Sequence, residues 1–335
     1  MKILIIGLNW LGDVIMSLPA IFSACSEQNQ VHILTRPNLA EVYEIFSDRF
    51  EKIHKVETKG PFISGLKQIR ELRKNKFDHI VVLPDSPRAA IVAWLCGGSS
   101  IGYKTQGRSI FLGRSIEKPL NFESIHESRL HFDLVKAAGI SNNISSLAKP
   151  EFSKDYFEKV CRKLSLDNTR QYYIIAPGAA FGAAKRWPEE NFADLTKLIS
   201  MHHHDQILVT GSPGEKGLAD YICSKNPAAI SIAGRTSLTE LAVLLSKAKG
   251  LVANDSGTMH LAALFNTPTV VPVGPTDMTR TGSLSSNAKY VYGSPKCDLA
   301  PCRQKVCPDR GHICMKSISA IAVYDVLMSL EDRQA

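Results

Sequence analysis

Short runs of apolar, often β-branched residues alternate with stretches of helical periodicity along the whole chain. The runs are KILIIG, QVHILT and HIVVLPD in the first half, and YYIIAPG, QILVTGS, ISIAG, GLVAND and PTVVPVG in the second. Strands that alternate with helices in this way form parallel sheets covered by helices. The pattern therefore predicts an α/β fold with doubly wound sheets.

Segments with helical periodicity fill the intervals between these strands. They lie at residues 13–25, 63–75, 153–164, 188–200, 215–224, 238–247 and 257–265. Pro188 suits a first helical turn, and Ser237 with Glu240 matches a capping box. Pro19 lies inside the first of these segments, where we expect it to kink or shorten the helix.

A polar, turn-rich stretch, GISNNISSLAKPEFS, separates the two sets of strands, and a chain of 335 residues is long enough for two domains. We therefore predict an N-terminal domain at residues 1–152 and a C-terminal domain at residues 153–335. Ligands of doubly wound sheets bind beyond the carboxyl ends of the strands. The site is accordingly expected in a cleft between the two domains.

The chain is basic, with a formal net charge of +8, and the excess is concentrated in residues 59–118. That span holds eleven Lys or Arg against four Asp or Glu. Such a field suits a phosphorylated lipid, a membrane surface or nucleic acid, while solvated helix faces have the same composition. Aromatic residues do not alternate with the charges, which disfavours nucleic acid.

No apolar stretch reaches the roughly eighteen residues that a membrane-spanning helix needs. The N-terminus enters a predicted strand at once and lacks the apolar segment and cleavage site of a secretory signal. We therefore expect a cytoplasmic protein.

The loop GLNWLGD after the first strand has the glycine spacing of a phosphate-binding loop. Such a loop continues with Lys and then Ser or Thr, whereas here Asp13 and Val14 follow the second glycine. Because a carboxylate repels phosphate, this loop is not predicted to bind a nucleotide. Asp13 could accept a proton from a bound hydroxyl group, or it could serve only as a helix-start carboxylate.

Two loops of the second half carry groups suited to a nucleotide. In APGAAFGAAKRWP, Gly178 allows close approach of a ligand, and Lys185 with Arg186 supplies positive charge for a diphosphate. A flexible loop with two surface cations is the alternative. In TGSPGEKG, Glu215 follows a strand and could accept hydrogen bonds from ribose hydroxyls.

A third loop, within VANDSGTMHLAA, joins a strand to the start of a helix. N–H groups and hydroxyls at such a start can bind an anion. The candidate residues are Asp255, Ser256, Gly257, Thr258 and His260.

Four of the eight cysteines cluster in CDLAPCRQKVCPDRGHICM, with the spacing C-x4-C-x4-C-x6-C. Four sulfurs can bind zinc or an iron–sulfur cluster, but the spacing is not the paired C-x-x-C of zinc ribbons. We expect a reduced structural loop without metal. The candidate ligands, if a metal is bound, are Cys297, Cys302, Cys307 and Cys314. The tract MHHHDQ is interpreted as a solvated helix end.

Taken together, GLNWLGDVIMSLP, PGAAFGAAKRWP, NDSGTMHLAA, VGPTDMTRTG and the cysteine segment resemble glycosyltransferase family 9, the ADP-heptose:lipopolysaccharide heptosyltransferases. The resemblance covers nearly the whole chain and is greatest to the heptosyltransferase II subgroup. It implies a GT-B fold of two Rossmann-like domains, with the acceptor bound by the first and the donor by the second. It also implies that no cofactor is required, and the chain has no D-x-D metal-binding motif.

The implied reaction is an inverting transfer of heptose from ADP-L-glycero-D-manno-heptose to heptosyl-Kdo2-lipid A, at the inner face of the cytoplasmic membrane. Asp13 matches the family's proposed general base, and Lys185 matches the lysine on the donor diphosphate. The full set implied for the donor is Gly178, Lys185, Glu215, Asp255, Ser256, Gly257, Thr258 and His260. Acceptor contacts are predicted from charge alone, at Arg70, Arg73 and Arg108.

Two other functions are compatible with the same residues. A nucleotide-sugar 2-epimerase shares the GT-B architecture and would need no lipid acceptor. A metal- or nucleic-acid-binding interaction protein would use the charge and the cysteines. The expected partners are a nucleotide-sugar donor and a phosphorylated lipid A-core acceptor, without nucleic acid.

Overall fold

A computed structural model describes residues 1–57, 65–309 and 311–331. The chain forms two compact units, which we call unit 1 and unit 2. Unit 1 comprises Met1–Ala148 with Thr279–Thr281, and unit 2 comprises Lys149–Met278 with Gly282–Ala335. The division thus falls four residues before the predicted boundary, and a short segment of the second half belongs to unit 1.

Unit 1 is built on one parallel sheet. Its strands are β1 (Lys2–Ile6), β2 (Gln30–Thr35), β3 (Lys52–Lys55), β4 (His79–Val82), β5 (Ser99–Tyr103) and β6 (Arg114–Ile116), in the order β3-β2-β1-β4-β5-β6. In register, Ile5 of β1 lies opposite Ile33 and Val81. The helices are α1 (Leu11–Ala24), α2 (Ala40–Glu44), α3 (Leu66–Leu72), α4 (Pro87–Cys96) and α5 (Glu127–Ala137).

Unit 2 repeats this plan. Its strands are β7 (Tyr172–Ala176), β8 (Gln206–Val209), β9 (Ala229–Ser231), β10 (Gly250–Ala253), β11 (Thr269–Val273) and β12 (Ala288–Tyr292), in the order β12-β11-β10-β7-β8-β9. The helices of the second half are α6 (Lys154–Leu164), α7 (Glu189–His202), α8 (Lys216–Lys225), α9 (Leu238–Leu245), α10 (Gly257–Ala263), α11 (Met278–Thr281), α12 (Ile313–Lys316) and α13 (Ala320–Glu331).

Each sheet has the doubly wound order, in which successive strands are added first to one side of the first strand and then to its other side. The switch point lies between β1 and β4 in unit 1 and between β7 and β10 in unit 2. Strands buried on both faces are apolar throughout, and Ile3, Leu4 and Ile5 of β1 are fully buried. The α/β prediction is confirmed, and the two switch points mark where ligands of such sheets bind.

All eight predicted strands are present, whereas β3, β5, β6 and β12 were not predicted. The helix predicted at 63–75 is α3 followed by a 3₁₀ turn at Arg73–Asn75, and residues 63 and 64 lie outside the described residues. The capping box of Ser237 and Glu240 is confirmed at the start of α9. Pro19 does not shorten the first helix, because α1 continues past it to Ala24, and a kink at Pro19 stays a prediction.

His131 of α5 is a buried titratable group of unit 1. Its side chain is 6% exposed, and burial lowers its pKa to about 4. Since the imidazole of an unfolded chain has a pKa near 6.5, the unfolded state binds the extra proton first as the pH falls. The free energy of unfolding is therefore expected to fall by up to roughly 3 kcal/mol between about pH 6.5 and pH 4.

The test compares pH-dependent urea unfolding of wild type, His131→Gln and His204→Gln. The first variant should show a shallower loss of stability over this range, because its buried side chain cannot be protonated. His204 is exposed, so its variant should follow wild type. If the free energy of unfolding falls in parallel with pH in all three proteins, the assignment of this loss to His131 is contradicted.

In the part of the chain that the structure describes, no helix combines the length and the apolar character needed to cross a membrane.

Candidate active site

The switch point of unit 2 brings the loops after β7 and β10 together at one edge of the sheet. Asn254, directly after β10, is fully buried. Its Nδ2 donates to the Pro177 carbonyl at 2.7 Å, and its Oδ1 accepts from the Trp187 N–H at 2.9 Å. Asn254 thereby fixes both ends of the loop formed by residues 177–187.

Trp187 anchors this loop to the core of unit 2. Its side chain is buried, and the indole N–H donates to the Ile318 carbonyl at 2.9 Å. Neither Trp187 nor Asn254 was assigned a role from the sequence. A sequence signal for Asn254 does exist, because it is a polar residue directly after a fully apolar strand. An amide buried at such a position needs hydrogen-bond partners, so it is expected to bond to nearby backbone groups.

Lys185 and Asp255 form an ion pair across this edge. The Lys185 Nζ lies 2.5 Å from the Asp255 Oδ2, and the side chains are only 16% and 7% exposed. The ammonium also lies 4.8 Å from the centre of the Phe181 ring. Removing one partner of such a buried pair costs about 3–5 kcal/mol, because the other charge is left without a counterion. The structure thus joins two predicted site residues that are seventy positions apart.

Gly178 and Glu215 are also in contact. The Glu215 Oε2 accepts hydrogen bonds from the Ser212 N–H and hydroxyl, each at 2.8 Å. A Cβ added at Gly178 would lie 2.1 Å from the Glu215 Oε1. A glycine is therefore required for the carboxylate to occupy this position beside the 177–187 loop.

Two hydroxyl groups at the same edge are buried without a hydrogen-bond partner among the described residues. They are the Ser256 Oγ, at the start of α10, and the Thr276 Oγ1, in the loop after β11. Since β10 and β11 are adjacent, both hydroxyls follow neighbouring strand ends. Gly257 and Thr258 open α10 as predicted, and His260 is buried within it. Unsatisfied hydroxyls at a ligand-binding edge can donate to a ligand's oxygens.

In unit 1, Asp13 lies in the first turn of α1, after the loop that follows β1. This is the switch-point edge of the unit 1 sheet. The Tyr43 side chain packs closely against the backbone of Gly7. A Cβ at Gly7 would lie 2.6 Å from the Tyr43 hydroxyl oxygen. That glycine therefore serves packing within unit 1, while Asp13 is half-buried at the edge.

Arg108 does not belong to an exposed basic surface, and the prediction that it contacts an acceptor is not retained. Its side chain is fully buried. The guanidinium donates to the carbonyls of Tyr103 and Pro84 and pairs with Asp85. The loop after β5 folds this arginine into unit 1, which sequence composition alone does not reveal.

Some of the other cations of the basic span form ion pairs, and others are exposed. Lys104 pairs with Glu117 at 2.8 Å, and Lys118 pairs with Asp85 at 2.6 Å. Lys59 lies outside the described residues. The exposed cations on and after α3, which we call the α3 basic surface, are Lys67, Arg70, Arg73, Lys74 and Lys76.

The C-terminal cysteine segment packs against the 177–187 loop. The Lys305 carbonyl accepts from the Ala184 N–H at 3.0 Å, and the His312 Nε2 lies 2.8 Å from the Ala184 carbonyl oxygen. A Cβ at Gly182 would lie 2.3 Å from the Lys305 carbonyl oxygen. Backbone of the cysteine segment therefore supports the turn that carries Lys185.

The four cysteines of this segment line one pocket within unit 2 as free thiols. Burial and the three neighbouring thiols raise the pKa of Cys314. Across the described ranges, no group of three or more His, Cys, Asp or Glu side chains could hold a metal ion.

The sequence profile of glycosyltransferase family 9 (heptosyltransferase) matches residues 66–312. Lipopolysaccharide heptosyltransferase 2 of Escherichia coli (strain K12) is 29% identical over 316 residues, which cover 87% of this chain and 88% of that protein. Lipooligosaccharide heptosyltransferase 2 of Campylobacter jejuni is 26% identical over 337 residues, covering 98% of each.

The solved structure of E. coli ADP-heptose lipopolysaccharide heptosyltransferase II has a similar fold. It aligns with a TM-score of 0.83 at 24% identity, over 100% of this chain and 99% of that one. The likeness extends over both units.

Proposed function

Because the chain belongs to glycosyltransferase family 9, the heptosyltransferase family, we propose that it transfers heptose from ADP-L-glycero-D-manno-heptose to the inner core of lipopolysaccharide. The proposed acceptor is heptosyl-Kdo2-lipid A. Similarity to heptosyltransferase 2 of E. coli and C. jejuni supports this choice. The observation that carries it is the buried Lys185–Asp255 pair at the switch point of unit 2.

Unit 2 supplies the proposed binding site for the donor. The Lys185 ammonium and the Ser256 hydroxyl are suited to the diphosphate, since charge-assisted hydrogen bonds to phosphate are strong. The N–H groups at Gly257 and Thr258 add further donors. Asp255 holds Lys185 in place and is proposed to face the donor sugar, and His260 of α10 is proposed to face the same ligand. The Glu215 carboxylate is proposed to accept hydrogen bonds from the ribose hydroxyls.

Besides binding the donor, unit 2 must stabilise the departing ADP. As the bond between the anomeric carbon and the diphosphate breaks, negative charge develops on the departing ADP. Fixed cations and N–H dipoles stabilise that charge without reorganisation. We therefore propose that transfer requires no resident cofactor.

Unit 1 supplies the proposed base. The acceptor hydroxyl attacks the anomeric carbon from the face opposite the diphosphate, which inverts the configuration. Its proton must pass to a group nearby, and the Asp13 carboxylate is suited to take it. The anion is itself stabilised by its position in the first turn of α1.

The proposed acceptor is anionic and is held at a membrane surface. The α3 basic surface is exposed, and each Lys or Arg near an anionic surface contributes about 1 kcal/mol of attraction. We propose that this surface holds the protein at the inner face of the cytoplasmic membrane, within reach of its acceptor.

Turnover of ADP-heptose against defined, truncated lipid A-core acceptors tests the proposal. The expected product is an acceptor heavier by one heptose, formed only when the first core heptose is present. Incubation with donor alone tests the epimerase alternative, which predicts an epimerised sugar without any acceptor. That outcome, or no gain in acceptor mass, would contradict heptose transfer.

Gly178→Ala is expected to weaken ADP binding by roughly tenfold, the effect of losing one hydrogen bond to a charged group. The added methyl group would displace the Glu215 carboxylate. Glu215→Gln should act similarly, and the double variant should add little. Gly217→Ala is the control, because a Cβ at that position meets nothing within 4 Å. Unchanged ADP affinity in Gly178→Ala would rule out Glu215 as a ribose contact.

Charge reversal of Arg70 and Arg73 together is expected to raise the KM for the lipid acceptor several-fold and to leave the KM for ADP-heptose unchanged. Both side chains are exposed on the α3 basic surface, so their contribution is electrostatic and should fade at high salt. Reversal of Lys154 and Lys159, exposed on α6 of unit 2, is the matched control. Equal effects on both substrates would contradict the assignment.

A further inference from the structure

Unit 1 exposes a group of apolar side chains that the proposed function does not use. Trp94 of α4 is 60% exposed, and Ile110 is 81% exposed in the 3₁₀ turn Arg108–Phe111 that follows β5. Phe111, next to Ile110 in the chain, has its ring centre 6.4 Å from that of Trp94. We call these three residues the α4 apolar patch. Single apolar residues are normal on a protein surface, whereas neighbouring ones mark interaction sites.

The 3₁₀ turn that carries Ile110 is fixed from within unit 1. Its first residue, Arg108, is fully buried, and the guanidinium donates to the carbonyls of Tyr103 and Pro84. Leu112, directly after the turn, packs against the apolar core beneath α4. Because both ends of the turn are anchored, Ile110 is held at the surface by a defined support.

The α4 apolar patch adjoins the α3 basic surface. Helices α3 and α4 pack against each other over one apolar core, which includes Ile69 of α3 and Val92 of α4. A Cβ at Gly97, three residues after Trp94, would lie 3.2 Å from the Arg73 Nε. Exposed apolar and cationic side chains therefore share one face of unit 1.

This combination fits an anionic bilayer better than a second copy of the chain. Glu71 is the one acidic residue of α3, so the charge of the α3 basic surface is largely of one sign. A symmetric pair of chains would bring this surface against itself and place like charges together. An anionic lipid surface supplies the opposite charge, and Trp with aliphatic side chains enters its headgroup region.

We propose that Trp94, Ile110 and Phe111 insert into the interfacial region of an anionic bilayer, beside the lipid phosphates that the α3 basic surface attracts. Salt screens the attraction between exposed charges, whereas burial of apolar side chains adds binding that does not depend on charge. The inference deepens the proposed function, on which it rests for the choice of a membrane as the partner. It adds an apolar contribution to an attachment that the cations begin.

The test is co-sedimentation of the full-length chain with vesicles of phosphatidylcholine mixed with phosphatidylglycerol, without donor or acceptor. Wild type is expected to bind. Trp94→Ser/Ile110→Ser is expected to bind about ten- to a hundredfold more weakly, because two exposed apolar side chains can no longer be buried in lipid. Met201→Ser/Ile321→Ser is the matched control, since both side chains are exposed on helices of unit 2 and should leave binding unchanged.

Trp94 also reports insertion by its fluorescence. Of the three tryptophans, Trp187 is buried and Trp10 is exposed, so Trp10→Phe leaves Trp94 as the exposed one. Emission of the Trp10→Phe protein should shift to shorter wavelength when vesicles are added, and brominated lipids should quench it. Trp10→Phe/Trp94→Phe should show neither change.

Equal vesicle binding by wild type and Trp94→Ser/Ile110→Ser would overturn the proposal, as would no binding by wild type. Binding without any change in Trp94 emission would overturn it too. A dimer that Trp94→Ser/Ile110→Ser abolishes, with vesicle binding unaltered, would assign the patch to a second copy of the chain. The vesicles carry no lipid A-core, so these results are independent of whether heptose transfer occurs.

Discussion

Asp13→Asn and Asp13→Ala are expected to bind ADP as wild type does and to lose about 10²- to 10⁴-fold in kcat, the contribution typical of a positioned general base. The proton of the acceptor hydroxyl would have no carboxylate to receive it, while the donor contacts of unit 2 would be untouched. ADP affinity by calorimetry and single-turnover rates with saturating acceptor separate the two effects.

The same experiment distinguishes catalysis from a structural role of Asp13. A carboxylate in a first helical turn stabilises the helix by about 0.3–1 kcal/mol, so its loss alone would lower the unfolding midpoint slightly and leave kcat unchanged. Asp155→Asn is the matched control, because Asp155 is an exposed acid in the first turn of α6. If Asp13→Asn retains near-wild-type kcat, the base lies elsewhere.

Lys185→Ala is expected to weaken ADP binding by about 10- to 150-fold, which corresponds to a charged hydrogen bond of about 1.5–3 kcal/mol. It should also destabilise unit 2, because Asp255 would remain buried without its counterion. The two effects have different causes and respond differently to a second substitution.

The double variant Lys185→Ala/Asp255→Asn separates the loss of ADP binding from the loss of stability. Removing the unpaired carboxylate should restore much of the stability, whereas ADP binding should stay weak because the cation is still missing. Lys197→Ala is the control, since Lys197 forms an exposed pair with Asp194 on α7 and should change neither property. Wild-type ADP affinity in Lys185→Ala would remove this lysine from the diphosphate site.

The fold was predictable because its central strands carry a strong apolar signal. β1, β4, β7 and β10 flank the two switch points and are almost entirely buried. The strands that sequence analysis missed have weaker patterns. Lys52–Lys55 is an edge strand with a charged residue at each end, Ser99–Tyr103 begins with two serines, and Arg114–Ile116 is only three residues long.

The site was predictable as a set of loops but not as a set of contacts. Lys185 and Asp255 were both assigned to it, yet their pairing depends on β7 and β10 being neighbours, which no local pattern encodes. Arg108 was predicted to be a surface cation because the sequence gives its charge but not whether its side chain is buried. The carbonyls of Tyr103 and Pro84 that satisfy it become available only once the loop after β5 has folded.

A crystal structure with ADP bound tests most directly whether unit 2 holds the donor. We predict that diphosphate oxygens will lie within hydrogen-bonding distance of the Lys185 Nζ and the Ser256 Oγ, with the ribose beside Glu215. A nucleotide bound instead against residues 7–12 of unit 1, next to Asp13, would contradict the account.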